Sequence, residues 1–283
     1  MTLQKAMEMG VATPVKLPIA KIVDEAKDIK TFFFTHLLKS EPGQFIMVIL
    51  PKLGMRPMSI SSDNGAEFGT TICGVGPLSN AMMEKKPGDI IGIRGPLGKP
   101  FSGRGNHVVL VGGGYGSGPM AFWAERAIAR GMDSKKIHYI VGARTKELLL
   151  FEERMRRAKV NLHIATNDGS HGYKGFNIDL LRQVIEEAKH SGNPLDMIYT
   201  CGPELMEKAV FDVAVETGTD CEISMERYMK CGIGICGSCA VDPDGLLICV
   251  DGPCVNKETA AKITEFGAYH RDASGQKVYY KKG

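Results

Sequence analysis

His107-Val108-Val109-Leu110-Val111-Gly112-Gly113-Gly114-Tyr115-Gly116-Ser117-Gly118-Pro119 is the stretch that decides how the chain folds. Four consecutive aliphatic residues read as a strand buried on both faces, the kind found in parallel sheets covered by helices. A glycine run follows, and Pro119 then opens a helix to about Gly131, where its missing N–H costs little. A glycine loop between strand and helix offers free backbone N–H groups at the positive helix end, a seat for a pyrophosphate. The loop is not a strict G-x-G-x-x-G, and no acidic residue closes the next strand, which runs into Gly142-Ala143-Arg144-Thr145. A dinucleotide-binding dehydrogenase shows both features, so a simple turn stays open as the alternative.

Working outward, the alternation of strand and helix continues. Strands are expected over Ile137–Val141, Val160–Thr166 and Met197–Thr200, with helices near Leu150–Lys159, Asn177–His190 and Pro203–Glu216. That order describes a parallel sheet with helices on its faces, here a nucleotide-binding α/β domain over residues 106–218. Thr200-Cys201-Gly202-Pro203 ends the fourth strand, on the edge where such sheets form their ligand crevice. Cys201 then either faces the cleft of the glycine loop or is a buried residue before a turn.

Upstream, residues 1–105 carry short strands: Ala20–Asp24, Thr31–Phe34, Gln44–Leu50, Met58–Ser62, Phe68–Cys73 and Ile90–Arg94. Turn signals such as Glu41-Pro42-Gly43, Asp63-Asn64-Gly65 and Pro87-Gly88-Asp89 separate several of them, which predicts a small antiparallel barrel or sandwich. Arg56-Pro57-Met58-Ser59 begins one strand; an arginine there suits a phosphate and a serine suits a hydrogen bond to a cofactor ring.

Downstream, residues 219–283 are cysteine-rich. Of eight cysteines, Cys73 and Cys201 stand alone, while Cys221, Cys231, Cys236, Cys239, Cys249 and Cys254 crowd together. Nothing in Met1–Gly10 resembles a secretory leader and no apolar window reaches spanning length, so a cytoplasmic protein without membrane contact is expected. A reducing compartment does not keep disulfides, and clustered cysteines there point to metal. Cys231-Gly232-Ile233-Gly234-Ile235-Cys236-Gly237-Ser238-Cys239 followed by Cys249 gives C-x4-C-x2-C and a fourth thiol, the loop spacing of plant-type [2Fe–2S] proteins. Glycines let such a loop wrap an anionic cluster and aim N–H groups at its sulfurs. The alternative is a four-cysteine zinc site, although zinc sites come as two C-x2-4-C pairs. Cys249 is taken as the fourth ligand ahead of Cys254; Cys221 and Cys254 read as small buried residues.

The bulk numbers exclude other classes. With 283 residues and a formal charge of +3, the chain is long enough for several domains and has no basic run interleaved with aromatics, so nucleic acid is not expected. No hydrolytic triad or metal-spaced histidine set is apparent. The seven histidines read as scattered, and Lys135-Lys136 and Arg154-Met155-Arg156-Arg157 as solvated faces. The basic tail from Lys277 to Gly283 reads as a frayed end.

Arg-Pro-x-Ser, then a glycine loop and helix with Pro, then Cys-Gly-Pro is the layout of the ferredoxin–NADP reductase superfamily. The added cysteine motif makes the chain resemble the electron-transfer subunits of two-subunit dihydroorotate dehydrogenases, over about residues 16–255. The resemblance implies an N-terminal antiparallel β-barrel holding FAD, a central parallel-sheet domain holding NAD, and a small C-terminal [2Fe–2S] domain, together a multi-domain α+β protein. It implies Arg56 on the pyrophosphate, Met58 on the isoalloxazine and Ser59 near flavin N5, with Pro57 among the cofactor-binding residues. Thr71, Ile72 and Cys73, with Gly76, Leu78 and Ser79, hold the rest of FAD; family members have Gly-Thr where this chain has Leu78-Ser79. NAD is expected on Gly114, Gly116, Gly118 and Pro119, with Cys201, Gly202 and Pro203 beside the nicotinamide. Arg144 and Thr145 are candidates to receive a 2′-phosphate, which leaves NADP open beside NAD. Ser59 and Cys201 are the catalytic pair, and Cys231, Cys236, Cys239 and Cys249 the cluster ligands. A flavin accepts a hydride and releases single electrons, so the expected order is NADH, FAD, cluster, and an FMN-containing catalytic subunit in a hetero-oligomer. Reductase subunits of cytoplasmic hydrogenases, sulfite reductases and NADH-dependent ferredoxin:NADP oxidoreductases share these parts. A non-catalytic redox sensor or zinc module is the alternative of another class.

Overall fold

Turn residues and strand patterning divide residues 13–280, which the computed structural model describes, into three packed segments. Met1–Gly10 and the end of the basic tail lie outside the described residues. The first segment runs through β1 (Val15–Pro18), β2 (Lys21–Ala26), β3 (Ile29–Thr35), β4 (Phe45–Leu50), β5 (Gly54–Asp63), β6 (Glu67–Cys73), α1 (Pro77–Met83) and β7 (Ile90–Leu97). Its sheet has the order β1-β7-β4-β5-β6-β3-β2, all antiparallel. The expected barrel is a curled half-barrel, since β1 and β2 end the ladder without pairing with each other. Register shifts at Asp24/Ala26, Phe45/Met47 and Ile60/Ser62 bend the strands as bulges do. Phe32, Phe34, Ile46, Val48, Ile60 and Phe68 fill the concave side. β1 escaped the sequence reading because this edge strand is almost wholly exposed and carries no alternation.

The second segment contains β8 (Val108–Gly113), α2 (Ser117–Ala129), β9 (Ile137–Ala143), α3 (Glu152–Ala158), β10 (Asn161–Thr166), β11 (Tyr173–Lys174), α4 (Asn177–His190), β12 (Met197–Cys201), α5 (Glu204–Thr217) and β13 (Asp220–Ser224). The third contains β14 (Ala240–Val241), β15 (Leu246–Leu247), α6 (Ile248–Asp251), β16 (Cys254–Asn256), α7 (Lys257–Lys262), β17 (Tyr269–Arg271) and β18 (Lys277–Tyr279). The central sheet has the order β11-β10-β9-β8-β12-β13-β16, parallel except for β16. Two of its strands, β13 and later β16, lie past the expected boundary at 218/219 and complete the sheet from the cysteine-rich side. Two acidic residues in Asp220–Ser224 hid the first of them. Glu222 is nevertheless buried, accepting from Ser102 N at 2.8 Å.

α2 is apolar nearly all round because it is a wedge. Phe122 packs into the first core while Met120, Ala121, Trp123 and Ala124 pack into the second. Two arginines tie the wedge region to the first sheet: Arg126 donates to Ser40 O at 3.0 Å and Asp63 O at 3.1 Å, and Arg154 to Ser61 O at 2.8 Å. Arg154 also pairs with Glu125 at 2.7 Å, so it is an interdomain clamp and not part of a solvated face.

Two further readings are corrected. Three of the histidines are not scattered: adjacent strands set His107, His138 and His163 in a row, with ring nitrogens 3.1 and 3.0 Å apart. The basic tail is folded back as far as Tyr280. Lys277–Tyr279 pairs with Tyr269–Arg271, Lys277 lies 4.3 Å from the Tyr269 ring centre, and the Tyr280 hydroxyl donates to Glu204 at 3.0 Å. Among the described residues, no helix is long and apolar enough to cross a membrane.

Candidate functional site

The central sheet reverses its strand order between β8 and β12, and the loops that leave these two strands open a crevice at their C-terminal ends. The first sheet closes over it, leaving a cavity of about 750 Å³, within the range of small-molecule and cofactor sites. One wall is Arg56–Ser59 of β5 with Thr71–Cys73 of β6 and the corner Val75–Ser79. The other is Tyr115 and Gly116 of the glycine loop with Cys201–Glu204. Ser224–Met229 and the C-terminal hairpin, at His270–Ala273 and Tyr280, complete the rim.

Local contacts fix each side chain. Arg56 donates to Met55 O at 2.8 Å, and its guanidinium stacks 5.1 Å from the centre of the Tyr228 ring. Ser59 is held from behind by Thr70, whose hydroxyl donates to Ser59 O at 2.8 Å. Thr31 donates to Glu25 at 2.7 Å, so in its 2.8 Å contact with Thr71 it accepts, and Thr71 keeps only acceptor capacity for the cavity. The Ser79 hydroxyl is spent on the start of α1, accepting from Val75 N at 3.0 Å and Gly76 N at 2.9 Å. Gly116 is pressed onto the opposite corner: a Cβ there would stand 2.5 Å from Cys201 O.

Cys201 is buried at the back of the crevice. Burial pushes its thiol well up, so it is a neutral, compact wall and not a nucleophile. Glu207 is fully buried beneath it, accepts from Gly202 N at 3.1 Å, and is itself pushed far above the carboxylate range by burial.

Fourteen of the expected FAD and NAD residues, all but Gly114, Gly118, Pro119 and Arg144, thus share one cavity. Gly118 and Pro119 are buried within α2, which begins at Ser117, and Gly118 faces the first sheet: a Cβ there would stand 2.8 Å from the Ser61 side chain. Gly114 faces open space, and Arg144 is exposed beyond β9.

Sequence reasoning missed a second set. Tyr115, visible inside the glycine loop, donates across the crevice to Glu226 at 3.1 Å. Arg227 is buried between Glu204, which it contacts through Nη1 and Nη2, and Glu265, at 2.7 Å. Gly267 N donates to the same Glu204 at 2.8 Å. His270 lines the cavity with a buried Nδ1 that has no partner among the described residues. Only long-range folding brings these together, and no local signal announced them.

The cysteine loop lies beside this cavity. Gly232, Gly234 and Gly237 have φ of +70°, +78° and +69°, a conformation that side chains disfavour. The loop therefore curls inward, and Gly234 N points at Cys249 Sγ at 3.2 Å, while Ile235 N and Cys236 N point at Cys231 Sγ at 3.4 Å. Cys249 N donates to Cys239 Sγ at 3.4 Å. Among the described residues no group of three His, Cys, Asp or Glu side chains is set to hold a metal ion directly. Backbone N–H groups instead link the cysteines in two pairs, Cys236 N to Cys231 Sγ and Cys249 N to Cys239 Sγ, the division that a two-iron unit with two thiolates per iron needs. Burial raises Cys236, but hydrogen bonds with the Ser238 side chain and backbone outweigh it and leave the thiol at about 6. The Cys249 thiol donates to Cys239 and, against burial, lowers it to about 7. Thiolates near neutrality are the ligating form. Cys221 and Cys254 are buried in β13 and β16, away from these pairs.

The chain is similar to known proteins in both sequence and fold. Residues 226–260 match the iron-sulfur cluster binding domain of dihydroorotate dehydrogenase B, and residues 110–212 the oxidoreductase NAD-binding domain. The chain is 43% identical, over 94% of its length and 99% of the relative's, to a probable dihydroorotate dehydrogenase B (NAD(+)) electron transfer subunit of Methanocaldococcus jannaschii. It is 39% identical to the protein of the same description from Methanothermobacter thermautotrophicus, over 94% and 97% of the two chains. Among solved structures, an NADH-dependent reduced ferredoxin-NADP oxidoreductase superposes with a TM-score of 0.74 at 28% identity, covering 87% of this chain and 89% of that one. A ferredoxin NADP+ reductase from Neisseria gonorrhoeae with bound FAD and NADP superposes at 0.60 with 20% identity, over 72% and 92%. The fold is therefore that of the ferredoxin–NADP reductases, with an iron–sulfur domain added.

Proposed function

The chain belongs to the family of dihydroorotate dehydrogenase B electron transfer subunits, and from that premise we propose that it carries electrons between NAD(H) and an FMN-containing catalytic subunit of pyrimidine biosynthesis. One observation supports this reading above the others. Phe45 lines the cavity, and two residues along the same strand Met47 touches the cysteine loop, 3.0 Å from a Cβ placed on Gly232. The two candidate redox sites are thus separated by one strand step, about 7 Å of β4.

The residues present fit the groups. Arg56, Pro57, Met58, Ser59, Thr71, Ile72, Cys73, Gly76, Leu78 and Ser79 form the wall for FAD. Gly116, Cys201, Gly202 and Pro203 form the wall for the nicotinamide nucleotide. Cys231, Cys236, Cys239 and Cys249 are the donors for a [2Fe–2S] cluster. When bound, FAD exchanges a hydride with nicotinamide and single electrons with an iron–sulfur centre. The chain's part is positioning: Thr70 fixes Ser59, the Gly116 contact fixes the Cys201 corner, and neutral Cys201 and Glu207 place no net charge behind the ring. Ile235 is 63% exposed beside the exposed Cys236 and marks the face for the partner subunit. NAD is the expected nucleotide and NADP the alternative, with Arg144 too far out on the surface to line the cavity.

Anaerobic purification with analysis of FAD, iron and sulfide tests the cofactors, and rapid bleaching by NADH tests turnover. Purification from the native host tests the partner. An FMN-binding subunit and NAD-dependent orotate formation are the expected results. A second reductase subunit in its place would keep the cofactors and favour the ferredoxin-linked reading that the structural similarity also allows.

A further inference from the structure

Arg94 on β7 is buried, and a guanidinium does not give up its proton to escape burial. Buried charges need a counter-charge. Among the described residues no carboxylate pairs with Arg94; the ionisable groups beside it are the thiols of Cys231 and Cys249, which carry charge only as thiolate ligands. Its Nη2 donates to Cys231 O and to Met55 Sδ at 3.4 Å. Its Nε–H is buried and has no partner among the described residues. Arg94 stands opposite Met47 across the β4–β7 ladder, and Met47 and Leu97 support Gly232 at 3.0 and 3.1 Å from a Cβ placed there. A fixed cation with a buried, unpartnered Nε–H therefore sits under the cysteine loop on the first-domain side.

We propose that Arg94 is the built-in counter-charge of the iron–sulfur centre, a positioning residue that favours its reduced form. The inference rests on the four cysteines being the cluster ligands. One-electron reduction adds one negative charge to the centre, and a unit cation several ångströms away stabilises that charge. At an effective dielectric of about 20, the interaction exceeds a tenfold change in the reduction equilibrium. Tenfold corresponds to ~59 mV for a one-electron couple.

The test is a redox titration of the full chain, followed by the electron paramagnetic resonance signal of the reduced centre, with iron and sulfide measured in every sample. Arg94→Gln removes the charge and keeps a donor for Cys231 O; it is expected to bind the centre and to shift its reduction at least tenfold toward the oxidised form. Arg94→Lys keeps the charge and is expected to stay within about twofold of the wild type. An intact centre with unchanged potential in R94Q, or equal shifts in both variants, overturns the assignment of Arg94 alone. If R94Q binds no centre, R94K decides: an unmoved potential supports the counter-charge, and a tenfold shift or loss of the centre overturns it. Absence of iron and sulfide from the wild-type chain overturns both the inference and the reading beneath it.

Discussion

Replacing Gly116 by alanine adds one carbon at the tightest point of the crevice. The new Cβ would lie 2.5 Å from Cys201 O, 2.6 Å from Cys201 C and 2.7 Å from Gly202 Cα. All three are backbone atoms and cannot rotate away. Ordinary contact begins at 3.4 Å, so the glycine loop and the Cys-Gly-Pro corner must part by 3.4 minus 2.5, or about 0.9 Å. Overpacking of this kind costs about 1–3 kcal/mol, and misplacing reacting groups by about 1 Å lowers the rate about 10²-fold. Gly114 is the control. Its φ is +54° and nothing lies within 4 Å, so alanine there meets left-handed strain of about 1–2 kcal/mol without moving either wall. The assay is anaerobic stopped-flow reduction of bound flavin by NADH, with unfolding measured in parallel. Both variants should retain FAD, held by the other wall, and lose similar stability, while only Gly116→Ala loses the reduction rate. Wild-type reduction by a folded, FAD-loaded Gly116→Ala protein would refute the argument that this contact sets the hydride geometry.

Other outcomes follow from the same structure. Cys236→Ser should abolish electron delivery to the partner yet spare NADH-driven flavin reduction, because Cys236 belongs to the loop and not to the cavity; equal loss of both rates would count against that separation. Arg227→Met leaves Glu204 and Glu265 buried without their cation and should cost about 3–5 kcal/mol, read from the denaturant midpoint. Arg227→Lys should recover only part, since one ammonium does not reproduce the guanidinium fork. Burial first, then His163 and His107, hold His138 down at about 4 against 6.5. The unfolded chain then binds more protons between these values, so stability present above about pH 6.5 is lost as pH falls toward about 4. With allowance for partial solvent access, the loss is on the order of 1–2 kcal/mol, and His138→Gln should flatten the acid-side stability curve in that window.

Much of the candidate site was legible because it is built from short-range chemistry. The run from Cys231 to Cys239 needs glycines at 232, 234 and 237 to turn backbone N–H groups onto sulfur, and that requirement is written in consecutive residues. The residues from Arg56 to Ser59 and the corner at Cys201–Pro203 were singled out through the order of motifs along the chain, since each read alone fits an ordinary strand start or turn. The helix start was read two residues late, at Pro119, because a glycine loop does not say where its helix begins, and α2 begins at Ser117. Strand β13 was hidden by Asp220 and Glu222, and the burial of Glu222 depends on a partner more than a hundred residues away.

Local sequence was enough for the antiparallel N-terminal strands, most of the central parallel sheet and the cysteine loop, since hydrophobic period and glycine spacing are local properties. Tertiary structure alone decided that β16 returns to the central sheet, that Arg227 joins Glu204 to Glu265, that the C-terminal hairpin roofs the cavity, and that Arg94 lies beneath the cysteine loop. These are contacts between residues far apart in the chain, and their energy comes from burial and charge pairing, which no local window of sequence contains.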